Sequence, residues 1–83
     1  MVKAVRLTRH ARNRMRWHQI SEDLIHATLQ APDWEEPSGA GRINRWKRVV
    51  DRFLRVTYRE EPNRIVVISA VFKRRPPERR GQA

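Results

Sequence analysis

Cysteine is missing from the 83 residues, which excludes disulfides and thiolate metal sites and suits a reducing compartment. No apolar stretch approaches the roughly 20 residues that span a bilayer. No apolar run follows the basic N-terminus, so no secretory signal is read and a cytoplasmic location is expected. Glycine is scarce, with three residues, and none lies in a phosphate-cradling loop. No serine or cysteine triad motif is present. Acidic residues number 9 against 19 Lys and Arg, and lysine itself is rare: Lys3, Lys47 and Lys73 are the only ones.

What is abundant is arginine. The net charge is +10, and a balance this basic points to nucleic acid or an acidic partner. Arginine offers a planar fork of donors that matches phosphate oxygens, and it stacks on bases. A surface built only for solubility would favour lysine and mix the signs. Here the signs are sorted. Residues 1–20 hold six bases and no acid, residues 21–40 five acids and no base, and residues 41–83 thirteen bases and four acids. A chain this short forms one domain with a thin stability margin, so a groove or shallow cleft is expected rather than a deep cavity. The domain is read over residues 1–73, with a basic flexible tail over 74–83.

Lys3 to Leu7 is β-compatible, as an edge strand or an extended lead-in. Thr8 is a good N-cap for a helix from Arg9 to about Gln19, with Ala11, Met15 and His18 on one stripe. Ser21 caps a second helix, with Glu22 and Asp23 against its positive end. Ala31-Pro32 ends that helix, because the residue before proline avoids the helical region. Residues 33–41 read as a loop. Three strands follow, over Arg42–Val50, Phe53–Arg59 and Ile65–Phe72, joined by turns at Val50-Asp51-Arg52 and Glu60-Glu61-Pro62-Asn63. The expected fold is α+β: two N-terminal helices, with or without a short preceding strand, on one face of a three- to four-stranded antiparallel sheet. Alternation puts Leu54, Val56 and Tyr58 on one face of the second strand and Phe53, Arg55, Thr57 and Arg59 on the other; the polar set Arg55, Thr57 and Arg59 is placed on the open side.

The run Thr8-Arg9-His10-Ala11-Arg12-Asn13-Arg14-Met15, then Ile20-Ser21-Glu22-Asp23 and Ala31-Pro32-Asp33, resembles a bacterial family of small domains of unknown function that open with a His-Ala-x-x-Arg-Met motif. Phe53 to Tyr58 and Ile65 to Ser69 match its two hydrophobic strands, so the resemblance covers roughly residues 7–73. Where relatives commonly carry Arg-Gly before the isoleucine, this chain has His18-Gln19. The family looks like a variant of the RelE/ParE toxin fold. That likeness implies a toxin-like RNA-binding protein, with metal-independent mRNA cleavage among its activities and an acidic antitoxin-like protein among its partners. The same scaffold also hosts gyrase inhibitors and proteins without catalysis. A non-catalytic nucleic-acid-binding domain and a protein-targeting relative therefore stand beside the ribonuclease reading.

Metal-free RNA cleavage needs a base for the 2′-hydroxyl, an acid for the leaving oxygen and cations for the phosphate charge. His10, Arg14 and Lys73 are the catalytic candidates. His10 could instead anchor the helix to the sheet, and Arg14 could be a buried structural arginine. Arg12, Arg45, Trp46, Lys47, Arg55 and Arg59 are the candidates for nucleic-acid binding. Trp46 lies among basic residues, the interleaving that base stacking uses, although it could equally cap a small core. His18 continues the His10–Arg14 line, but an arginine between two histidines repels a cation. No metal or other cofactor is expected. His26 is read as exposed on the second helix.

Overall fold

A computed structural model describes residues 3–77. The chain runs β1 (Ala4–Leu7), α1 (Arg9–His18), α2 (Glu22–Gln30), β2 (Trp34–Gly39), β3 (Arg42–Val49), β4 (Arg52–Glu60) and β5 (Arg64–Lys73). The five strands form one sheet in the order β1-β5-β4-β3-β2. Among the described residues no helix is long and apolar enough to cross a membrane. Of the tail expected over 74–83, residues 78–83 lie outside the described residues, and 74–77 follow β5 without regular structure.

The expectation of a three- to four-stranded antiparallel sheet is corrected on two counts. The segment read as a loop over 33–41 contains β2, which pairs antiparallel with β3 from Trp34↔Trp46 to Pro37↔Ile43. Proline has no N–H to give to a ladder, so Pro37 is tolerated because β2 is an edge strand. Ala40 and Gly41, with φ of 53° and 74°, turn the chain into β3, the left-handed pair that a two-residue hairpin needs. The second correction is β1, which pairs parallel with β5 from Ala4↔Arg64 to Leu7↔Val67. The sheet is therefore mixed.

Both helices begin where the caps indicate. The Thr8 hydroxyl accepts from Ala11 N at 3.1 Å and donates to Ile68 O at 3.3 Å, while Thr8 N donates to Val67 O at 3.1 Å. One residue thus starts α1 and pins it to β5. Ile68 is the extra residue of a bulge, because Thr57 pairs with Ser69 and Tyr58 with Val67; a bulged residue leaves the ladder and frees its carbonyl. The α1 helix ends at Gln19 in the left-handed region (φ 58°), with Ile20 N returning to Met15 O at 2.8 Å. That return bond closes the helix end and tucks Ile20 into the core. Ser21 caps α2 by accepting from Leu24 N at 3.1 Å.

The core lies between the helices and one sheet face. Ala11, Met15, Ile20, Ile25 and Leu29 pack against Leu7, Leu54, Val56, Tyr58, Val67 and Ala70. A fully buried side chain such as Ile25 contributes about 1.5–3 kcal/mol. The half-buried His18 flanks the Ala11–Met15 stripe.

Candidate nucleic-acid interface

Strand alternation divides the cations between two faces. On the helix side, Arg45 and Lys47 reach the C-terminal end of α2. Arg45 Nη1 donates to Leu29 O, and Lys47 Nζ donates to Ala31 O at 3.1 Å. These are carbonyls that a helix leaves without internal partners. Arg45 is also ion-paired to Glu35 at 2.7 Å, and its guanidinium lies 5.1 Å from the centre of the Tyr58 ring. Tyr58 is buried, and burial raises the phenol pKa above its usual 10.0 against the opposing pull of Arg45. Arg45 and Lys47 therefore stand away from Trp46, with which the sequence grouped them. The three are consecutive in a strand, so the middle one must point to the opposite side.

Three of the cross-strand rows on the face opposite the helices build the site. The first is Arg48, Phe53 and Lys73, since Arg48 pairs with Phe53 and Phe53 with Lys73. An aromatic ring thus stands between two exposed cations. The second row is Trp34, Trp46, Arg55 and Val71. Trp34 and Phe53 meet at 5.6 Å between ring centres, tilted by 59°. The Arg55 guanidinium lies 5.8 Å from the Trp46 ring centre, and its Nε is buried without a partner among the described residues. Trp46 is only 5% exposed yet stands outside the core cluster. It supports the open face from beneath rather than capping the core.

The third row is polar: Glu36, Asn44, Thr57 and Ser69. Thr57 Oγ1 donates to Asn44 Oδ1 at 2.7 Å, and Asn44 Nδ2 donates to Glu36 Oε2 at 3.1 Å. Trp46 Nε1 donates to the same Oε2 at 2.9 Å. This network locks the side chains that carry the aromatic row. Beyond it, Arg59 is committed to Glu61 at 2.9 Å, and Arg64 holds the same carboxylate at 2.8 Å. The two arginines hold the Glu61 carboxyl below the usual range, as Lys3 does for Glu60.

The α1 candidates sit elsewhere. His10, Arg12 and Arg14 are all exposed. Among the described residues no ion pair engages an α1 arginine. His10 and Arg14 lie one turn apart beside Trp17, which is 80% exposed. No hydrogen bond among the described residues engages the side chains of His10, Arg14 or Lys73. His26 is exposed at the rim of a cleft of about 280 Å³ floored by Val5, Leu29 and Ile65 and bordered by the Lys3–Glu60 ion pair. Among the described residues, no three His, Asp or Glu side chains are grouped to hold a metal ion.

Of the side chains on this face, sequence reasoning named Trp46, Arg55 and Lys73 as site candidates, without assigning Trp46 or Lys73 to the open face, and left out Arg48, Phe53, Trp34 and Glu36. For Arg48 and Phe53 the signal was present, since each lies two residues from a chosen residue on the same strand. Trp34 and Glu36 needed the recognition of β2.

No curated protein and no solved structure matches the chain. A family model does, over residues 7–72, from the last residue of β1 to the penultimate residue of β5, which agrees with the resemblance to a small-domain family of unknown function expected over 7–73. The chain belongs to the family described as a domain of unknown function, DUF4258.

Proposed function

We propose that this domain binds single-stranded RNA on the sheet face opposite its helices. One observation carries the reading: the row Arg48–Phe53–Lys73 lies against Trp34 and the Arg55–Trp46 stack. Cations flanking aromatic rings on a flat surface supply both terms of single-strand binding, phosphate attraction and base stacking. Unstacked bases are the form in which RNA offers its flat faces to a protein. Locking of Trp46 and Asn44 by Glu36 supports the reading further, because a pre-ordered surface loses little entropy when it binds.

The test is titration of a short uridine-rich RNA, followed by tryptophan fluorescence at low salt, with DNA of the same sequence as the comparator. Phe53→Ala and Arg48→Ala should each weaken binding by about tenfold, the scale of one base stack or a close phosphate contact. Neither residue belongs to the core cluster. A loss of binding in Trp17→Ala, with Phe53→Ala unaffected, would move the interface to α1 and sink this assignment. Gel analysis of the same mixtures decides on cleavage. New RNA ends that vanish in the His10→Ala, Arg14→Ala double variant would make the domain an endoribonuclease with its catalytic groups on α1.

A further inference from the structure

Building on the RNA-binding reading, we propose that Glu36 and Trp34 form a base-specific subsite that selects guanine. Glu36 is half-buried on the cationic face, and its surroundings differ from those of the other glutamates in and beside the strands. Glu35, Glu60 and Glu61 are each paired with Arg or Lys. Glu36 is held by two neutral donors, Asn44 Nδ2 and Trp46 Nε1, both on Oε2. No donor among the described residues reaches Oε1. The carboxylate is thus fixed in direction, keeps its charge uncompensated by a cation, and presents one oxygen outward.

A carboxylate in that position repels phosphate, so the RNA backbone passes over Arg48, Arg55 and Lys73. What meets Glu36 is a group rich in donors. An ionised carboxylate only accepts hydrogen bonds. Guanine alone among the four bases places two adjacent donors, N1–H and the N2 amine, on its Watson–Crick edge. Adenine and cytosine each set one donor beside a bare ring nitrogen that the carboxylate would repel, and uracil flanks its single donor with two carbonyls. Trp34 stands two residues along β2 on the same face, about 7 Å away by strand spacing. It offers a ring on which that guanine or its neighbour stacks. Both donors converge on Oε1, the oxygen that Asn44 and Trp46 leave free, and bonds to an ionised carboxylate are charge-assisted, the stronger class.

The probes are short uridine RNAs with one central guanosine, adenosine, cytidine or inosine, titrated against the wild type and Glu36→Gln. The guanosine RNA should bind about tenfold more tightly than the adenosine and cytidine RNAs, the yield of a hydrogen bond to a charged group. Inosine, which lacks the N2 amine, should fall between them. Glu36→Gln keeps a carbonyl oxygen for Asn44 and Trp46, so its melting temperature should hold while the guanosine advantage disappears. Equal binding of guanosine and adenosine RNAs by the wild type overturns the subsite, as does an advantage that survives in Glu36→Gln. If that variant does not fold, the wild type decides alone: inosine equal to guanosine overturns the proposal. Binding of all RNAs without preference removes the subsite and leaves the RNA-binding reading standing, whereas no binding of any RNA at low salt removes both.

Discussion

Arg45, Trp46 and Lys47 show how one strand splits a basic run into two jobs. Arg45 and Lys47 neutralise the carbonyl end of α2 and join it to the sheet, while Trp46 turns the other way to carry Arg55. The guanidinium of Arg45 also lies over the buried ring of Tyr58. Tyr58 gives a pH prediction with a definite sign. Burial raises its pKa, so the folded state disfavours the phenolate. The stability that this contributes is complete below the unfolded value near 10 and is lost as pH rises through the higher folded value. Absorbance titration of the single tyrosine should show ionisation displaced upward in the native protein and returned to the ordinary range in denaturant. Identical curves in the two states would mean that the phenol is solvated. Of the site, Trp46 was legible because it adjoins basic residues in its strand, and Arg55 because alternation sets it on one strand face with Thr57 and Arg59. The direction of Arg45 and Lys47 was legible only by applying the two-residue period to the whole run.

At the level of elements, local chemistry wrote the helices openly. Thr8 and Ser21 cap them and Ala31-Pro32 stops the second. The β4 alternation separated Leu54, Val56 and Tyr58 from Arg55, Thr57 and Arg59 as the structure does. The β2 strand was illegible because Glu35, Glu36 and Pro37 read as a solvated loop; its strand character comes from pairing with β3, which no local pattern records. The parallel pairing of β1 was hidden for the same reason, since its partner lies at the far end of the chain. Thr8 is the joint between these elements, binding α1 through its hydroxyl and β5 through two further bonds. Thr8→Ala should cost about 1–2 kcal/mol, the upper range for a lost N-cap, read by denaturant unfolding, and Thr8→Ser should recover most of it. A loss shared equally by both variants would place the effect in the methyl group rather than the hydroxyl.

Across the whole molecule, the charge sorting seen in the sequence becomes a sorting of surfaces. Four arginines without an ion pair among the described residues lie on α1, and Arg48, Arg55 and Lys73 stand on the sheet face. The salt dependence of RNA binding should report which set is used. Three phosphate contacts on a single strand give a slope of log K against log salt of about −2, whereas engaging the α1 arginines as well gives about −5. A slope near −2 that flattens in Arg48→Ala fits the sheet face; a slope near −5 brings α1 into the interface. The pairing of β1 with β5 has a consequence in time rather than space. During synthesis β1 leaves the ribosome before every other strand of the sheet, and its partner segment, Arg64–Val67, belongs to the strand that leaves after the rest. Until then the carbonyls that receive Thr8 do not exist outside the tunnel, and the helices have no sheet to cover. Closing contacts so distant in sequence slows folding, so the nascent domain stays unfinished until β5 has emerged.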